Sequence, residues 1–158
     1  MVRVSKLAVI RLKGSVDVSG EAEDTLRMLN LNRPNQCVLI DDDDSKRGML
    51  QKVKEKVTWG EIDSETLEKL INERGEFEGG KSVTDELVGE RTPYDSVKEL
   101  AEAFLDGDVC FDDIEGFQEV FRLHPPRKGY DSTRRSFHHG GSTGNREEAI
   151  NELIIRMV

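Results

Sequence analysis

Residues 75–82 read GEFEGGKS and fit G-x-x-x-x-G-K-[ST], the loop whose backbone N–H groups cradle nucleotide phosphates while its lysine reaches the terminal ones. That chemistry needs a buried strand delivering the chain and a helix N-terminus receiving it. The segment before Gly75, DSETLEKLINER, instead sets Leu67, Leu70 and Ile71 at helical spacing behind the N-capping residues Asp63 and Ser64. Gly75 falls where a left-handed, helix-ending glycine is expected, and Glu76 and Glu78 would put negative charge inside a loop meant for phosphate. CVLIDD at 37–42 resembles a magnesium-holding strand, but it precedes the loop instead of following it. The match is read as coincidence. A small nucleotide-binding protein using Gly80, Lys81 and Ser82 is the alternative function.

Other reactive residues fail to form a constellation. Asp41 to Asp44 could attract Mg²⁺, yet adjacent side chains rarely converge, so they are expected to form a solvated strand exit. His138 and His139 are adjacent and His124 is distant, with no spaced carboxylate or cysteine, which argues against zinc. Ser136 and Ser142 lie near histidines without an orienting acid. Cys37 and Cys110 lack C-x-x-C spacing and are expected as buried, reduced thiols. No enzyme activity, metal or cofactor is expected.

The informative stretch is HPPRKGYDSTRRSFHHGGSTGNR, residues 124–146. Almost free of aliphatic residues, it is expected to be an ordered extension or loop that adds little to a core. Its arginines, with Tyr130, Phe137 and the histidines between them, suit RNA, because guanidinium groups fork onto phosphates and aromatic rings stack on unpaired bases. Although the net charge is −9 at pH 7, charge is segregated along the chain. Residues 1–14 carry Arg3, Lys6, Arg11 and Lys13 and no acid; residues 45–60 carry Lys46, Arg47, Lys52, Lys54 and Lys56 against Glu55; residues 122–140 carry Arg122, Arg127, Lys128, Arg134 and Arg135 against Asp131. Residues 15–44 and 61–121 hold most of the acid.

These residues need a scaffold. With 158 residues the chain suits one domain, or a small core with an extension. No run approaches the roughly 18 to 20 apolar residues of a membrane span, and Lys6 and Arg11 interrupt the N-terminal apolar run, so a cytosolic chain is expected. LAVIRL (7–12) reads as a strand. A helix from the cap Ser19 to about Leu31 follows, stopped by Pro34, and then QCVLI (36–40) forms a second strand. From Ser45, Leu50, Val53 and Val57 suggest a helix, with a strand near Thr58 to Ile62. That is β-α-β-α-β, a two-layer sandwich, in which Trp59 is expected to pack in the core or at its rim. Beyond it, helices are expected at 64–74, at 97–106 with Ser96 and Glu99 as a capping box and Gly107 closing, and at the Ile150, Leu153, Ile154 and Met157 stripe. EVFRLH (119–124) reads as a short strand. Residues 1–62 are taken as the α/β core, and 63–158 as an acidic helical addition with a basic C-terminal extension packed on it.

IRLKGS (10–15), TLRMLNLNRPNQCVLIDDDD (25–44) and SKRGMLQKVKEKVTWGEI (45–62) closely resemble the family of large-subunit ribosomal protein thirty. RLHPPRKG (122–129) and HHGGSTGNREEAINELI (138–154) resemble its longer archaeal form, related to the eukaryotic protein seven of that subunit. The resemblance implies an α+β fold with an antiparallel sheet, somewhat like the ferredoxin fold. It also implies a non-enzymatic cytoplasmic role in the 50S subunit, binding and stabilising large-subunit rRNA beside neighbouring ribosomal proteins, away from membranes, and so supporting translation. Carried onto this sequence, the RNA-facing residues are Arg11 and Lys13 at the end of the first strand, Arg47 and Gly48 at the start of the second helix, and Lys52 and Lys56 beyond. Arg122, His124, Arg127, Lys128, Arg134, Arg135 and His138 would form a C-terminal clamp. The acidity departs from the basic composition common among ribosomal proteins and suits a salt-rich cytoplasm.

Overall fold

The structure is a computed structural model that describes residues 6–14, 19–130 and 132–158; Arg3 and Asp131 of the basic stretches lie outside these. Its organising element is β1 (Lys6–Arg11), buried at every position. Leu7 and Val9 enter one hydrophobic cluster while Ala8 and Ile10 enter another, so this strand is apolar on both sides and requires cover on both.

The first cover comes from the elements that alternate with the strands. Helix α1 (Gly20–Met28) starts at Ser19, whose hydroxyl accepts from Ala22 N–H. β2 (Gln36–Asp41) pairs antiparallel with β1, placing Ile40 opposite Leu7. Helix α2 (Asp44–Lys52) is capped by Asp43, and β3 (Val57–Glu61) lies antiparallel on the other side of β1. Leu26, Leu29, Leu50 and Val53 bury against Leu7, Val9 and Trp59 on that face.

The acidic half covers the opposite face. Helix α3 (Ser64–Arg74), capped by Asp63, is followed by a small hairpin of β4 (Glu76–Phe77) and β5 (Lys81–Ser82). Then come α4 (Asp85–Arg91) and α5 (Val97–Asp106), the latter closed by left-handed Gly107. Leu67, Leu70, Ile71, Leu100 and Phe104 pack with Ala8 and Ile10, joined by Ile150, Leu153 and Ile154 of the last helix. Phe111 stacks on Phe104 with ring centroids 4.0 Å apart.

The same half also extends the sheet. β6 (Phe121–Arg122) pairs with β2, β7 (Ser132–Ser136) pairs with β8 (Gly141–Asn145), β8 runs parallel to β3, and α6 (Ile150–Met157) follows. The order is β6-β2-β1-β3-β8-β7, a six-stranded mixed sheet between helical layers. The fold is α+β as expected, with an antiparallel centre and parallel pairing confined to its last strands.

Local differences from the sequence reading have physical causes. Helix α1 ends at Met28, not Leu31, because Asn30 turns left-handed (φ 62°) and Leu31 N–H returns to Leu26 C=O at 2.9 Å. Helix α2 ends at Lys52 because a tight turn, with Lys56 N–H on Val53 C=O at 2.8 Å, delivers the chain into β3. Val57 therefore points inward from a strand; the spacing of Leu50, Val53 and Val57 marked burial correctly but mimicked a longer helix. Gly75 is extended (φ −68°, ψ 141°), not left-handed. The strand expected over 119–124 contracts to Phe121–Arg122. Cys37 is buried as expected, whereas Cys110 is exposed.

Candidate nucleic-acid interface

Strand direction decides where the charges go. β1 and β6 end, and β2, β3, β7 and β8 begin, at one end of the sheet. Lys13 follows β1, Arg33 precedes β2, Lys54 and Lys56 precede β3, Arg122 closes β6, and Arg134 sits within β7. The opposite end receives Asp41 to Asp44, Glu61, Asp63, Glu147 and Glu148. The sheet thus carries opposite charge at its two ends.

At the basic end the cations come from well-separated segments and act on one another. Leu12 N–H donates to Lys56 C=O at 2.8 Å, which brings the Lys13 turn against the entry to β3. The Lys13 ammonium is held below its ordinary pKa, first by partial burial, then by the positive charges of Lys56 and, more weakly, Arg134; Glu55 opposes them. Like charges kept this close favour an anionic ligand that neutralises them.

A second basic feature is built by hydrogen bonds. In the PPRKG turn Gly129 N–H donates to Pro126 C=O at 2.9 Å, and Lys128 takes a left-handed conformation (φ 68°). Arg156 of α6 donates to Arg127 C=O through Nε (3.1 Å) and Nη2 (2.7 Å), and to Gly129 C=O at 2.7 Å. With its carbonyls so held, the turn presents the exposed Arg127 and Lys128 side chains to solvent. His124 is half-buried, its ring nitrogens 2.7 Å from Pro125 C=O and 2.8 Å from Val158 C=O. Tyr130 donates to Asn35 Oδ1 at 2.7 Å, and its burial pushes the phenol pKa up. Tyr130 is thus a packing residue that ties the segment to the start of β2.

The remaining expected contacts divide. Arg11 is buried: it donates to Lys13 C=O (2.8 Å) and Leu31 C=O (2.7 Å) and lies 3.5 Å from Glu23. Its placement in the RNA-facing set is corrected by this burial, because a side chain at alternate positions with Leu7 and Val9 points under α1. Arg47 is exposed but held by Asp42 through two hydrogen bonds, at 2.5 and 2.8 Å. That pairing depresses the Asp42 carboxyl pKa and raises that of Arg47. Gly48 is exposed on α2, but the N-terminus of this helix is already occupied by the Asp43 carboxylate, 2.7 Å from Lys46 N. Lys52 is exposed at the basic end, 3.6 Å from Glu21. Arg135 and His138 are exposed on and just after the outermost strand, and Phe137 packs edge-on against His138. Sequence reasoning missed Arg33, counted into an acidic segment, and Arg156, taken as part of an amphipathic helix. Only strand order reveals the first and only tertiary contact the second.

The basic stretch 124–146 contributes more than a loop. β8 extends the sheet with Ser142 and Thr143 buried, Arg146 is buried just after it, and Thr58 Oγ1 donates to Gly144 C=O while accepting from Arg146 Nε, each at 2.8 Å. The GEFEGGKS segment is the β4–β5 hairpin, with Phe77 buried and Gly79 and Gly80 left-handed at its turn. Helix α4 begins beyond it, at Asp85 under a Thr84 cap, so the strand–loop–helix geometry of a phosphate loop is missing here. Asp41 pairs with Lys6, Asp42 with Arg47, and Asp43 caps α2. Among the described residues no cluster suited to a metal ion occurs, and no helix is long and apolar enough to cross a membrane.

Residues 7–57, from β1 through α2 to the first residue of β3, match the model of the ribosomal protein L30p/L7e family. The chain is 50% identical over 149 residues to the large ribosomal subunit protein uL30 of Methanopyrus kandleri, covering 93% of this chain and 100% of that protein. It is 46% identical over 151 residues to the uL30 protein of Methanosphaera stadtmanae, covering 96% and 99%. Against that of Methanobrevibacter smithii it is 48% identical over 150 residues, covering 95% and 98%. Identity at this level over nearly both full lengths places the chain in the uL30 family, the L30p/L7e ribosomal proteins, alongside its archaeal members.

Proposed function

We propose that this chain is a structural, non-enzymatic component of the large ribosomal subunit that binds and stabilises large-subunit rRNA through the basic end of its sheet. It would act in the cytoplasm, within the ribosome and beside neighbouring ribosomal proteins, without a cofactor. The observation that carries this reading is the convergence of Lys13, Lys56 and Arg134 from three segments at one end of the sheet, where Leu12 N–H donates to Lys56 C=O and the Lys13 pKa is lowered first by partial burial and then by the neighbouring cations. Lys52, Arg122 and the Arg127–Lys128 turn extend the surface. Cations distributed over several segments suit the phosphates of a folded RNA, where shape is recognised more than base sequence.

Replacing Lys13, Lys56 and Arg134 together by glutamine is expected to weaken binding to large-subunit rRNA and to lower the slope of log K against log salt by roughly two to three. Arg47→Gln, at the acidic end and already paired, should leave that slope nearly unchanged. An unaltered slope in a folded triple variant would remove the proposed interface. In a cell extract, the wild-type chain should sediment with the large subunit and resist a high-salt wash.

A further inference from the structure

The outer edge of β2 beyond Cys37 has no strand beside it among the described residues. β6 pairs only with Gln36 and Cys37, and the chain preceding it bends at Glu119 and Val120 without continuing the ladder. The hydrogen bond from Leu123 N–H to Asn35 C=O, 3.1 Å, fixes the alternation of the ladder: odd-numbered residues of β2 direct their main-chain groups outward. Leu39 therefore offers an N–H and a C=O. Asp41 offers an N–H, its carbonyl accepting from Asp43 N–H at 3.1 Å.

A cleft of about 260 Å³ lies along this edge, between the end of α1 and the turn at Phe111. Its apolar surface combines half-buried Leu39 and Ile40 with Phe104, Phe111 and Met28, the last 64% exposed. Asp112 and Glu119 supply acid at the rim; Asp41 is paired with Lys6, and Lys46 contributes the opposing charge. We propose that this edge receives an extended, lysine- or arginine-bearing segment of another protein, which adds to the sheet as a strand beside β2. Main-chain pairing supplies the alignment, the apolar cleft takes alternate side chains, and the acidic rim selects basic ones. The same rim disfavours RNA phosphates, and in a second copy it would face its own like charge. The site is separate from the Lys13, Lys56 and Arg134 surface, so either can fail without the other.

The test uses fluorescence anisotropy with a fluorescein-labelled ten-residue peptide alternating lysine with valine, and a control with glutamate for lysine, alongside amide hydrogen exchange. The lysine peptide should bind about tenfold or more tighter than the glutamate peptide and should slow exchange at the Leu39 and Asp41 amides. Asp112→Lys with Glu119→Lys should remove most of that preference. Leu39→Pro should abolish binding, because it deletes an outward N–H that β1 does not use; if that variant does not fold, the rim variant and the exchange data still decide. Equal binding of both peptides, or binding without protection at Leu39, overturns the proposal. So does protection of that amide by the protein alone as a sedimenting dimer, or by an rRNA fragment.

Discussion

Arg11 and Arg156 show how two arginines can support the proposed interface without contributing their charge to it. Arg11 is sealed beneath α1, so Arg11→Met should leave the Leu31 and Lys13 carbonyls short of a donor and lower stability by about 2–3 kcal/mol in urea unfolding. Arg156 shapes the basic turn through three hydrogen bonds. Arg156→Lys keeps the charge and loses the planar fork; rRNA affinity should fall about threefold and the Arg127 amide should exchange faster. The two thiols also separate by environment. Complete burial raises the Cys37 pKa to about 12, while Cys110 is exposed. A thiol reagent at pH 8 should therefore modify Cys110 alone in the native protein and both thiols in guanidinium. Because folding raises the Cys37 pKa, the unfolded chain releases that proton first, and stability present below about pH 9 should decline as pH climbs toward 12.

Elements were legible where local chemistry sets them. Ser19, Asp63 and Ser96 each accept the backbone N–H that their capping role requires, and the apolar stripe of α5 is buried as spaced. β7 and β8 were not, because STRRS and GSTGN hold no aliphatic alternation, and the β3 segment that pairs with β8 lies more than eighty residues away. Their signal is in the glycines instead. A methyl on Gly60 would meet Glu147 C=O at 1.9 Å, and one on Gly141 would meet Arg135 C=O at 2.0 Å. Gly60→Ala should thus force β3 from the start of α6 and destabilise the protein by roughly 3 kcal/mol or more. Gly141→Ala should displace β7 and weaken RNA binding with a smaller loss of stability. Thermal melts beside filter binding would separate the two effects.

For the whole molecule, the legible part of the site was that basic residues cluster; the hidden part was which of them meet. Lys13 and Arg134 are distant in sequence and share a surface only because β1 ends where β7 begins, while Arg47, in the same basic run as Lys56, goes to the opposite end. The acids gathered at that opposite end, beyond those paired with Lys6 and Arg47, add to a net charge of −9 whose self-repulsion is strongest at low ionic strength. Screening shortens the Debye length to about 3 Å at 1 M salt. The urea midpoint should therefore rise between low and molar KCl even as rRNA affinity falls, and a flat midpoint would show that the acidic end is not under strain.

The sheet's order also carries a consequence for synthesis. A growing chain can form β1, β2 and β3 once about sixty residues have emerged, but β8 must then dock parallel to β3 after the whole acidic layer has been made. Lys13 and Lys56 can therefore be in place early, whereas Arg134 and the turn held by Arg156 arrive only with the last strands and helix. If the proposed interface binds rRNA, a nascent chain would hold only part of it, and full affinity would come with the closing of the sheet. Affinity is thereby coupled to completed folding, so an unfinished chain would compete poorly for the site that the finished one occupies.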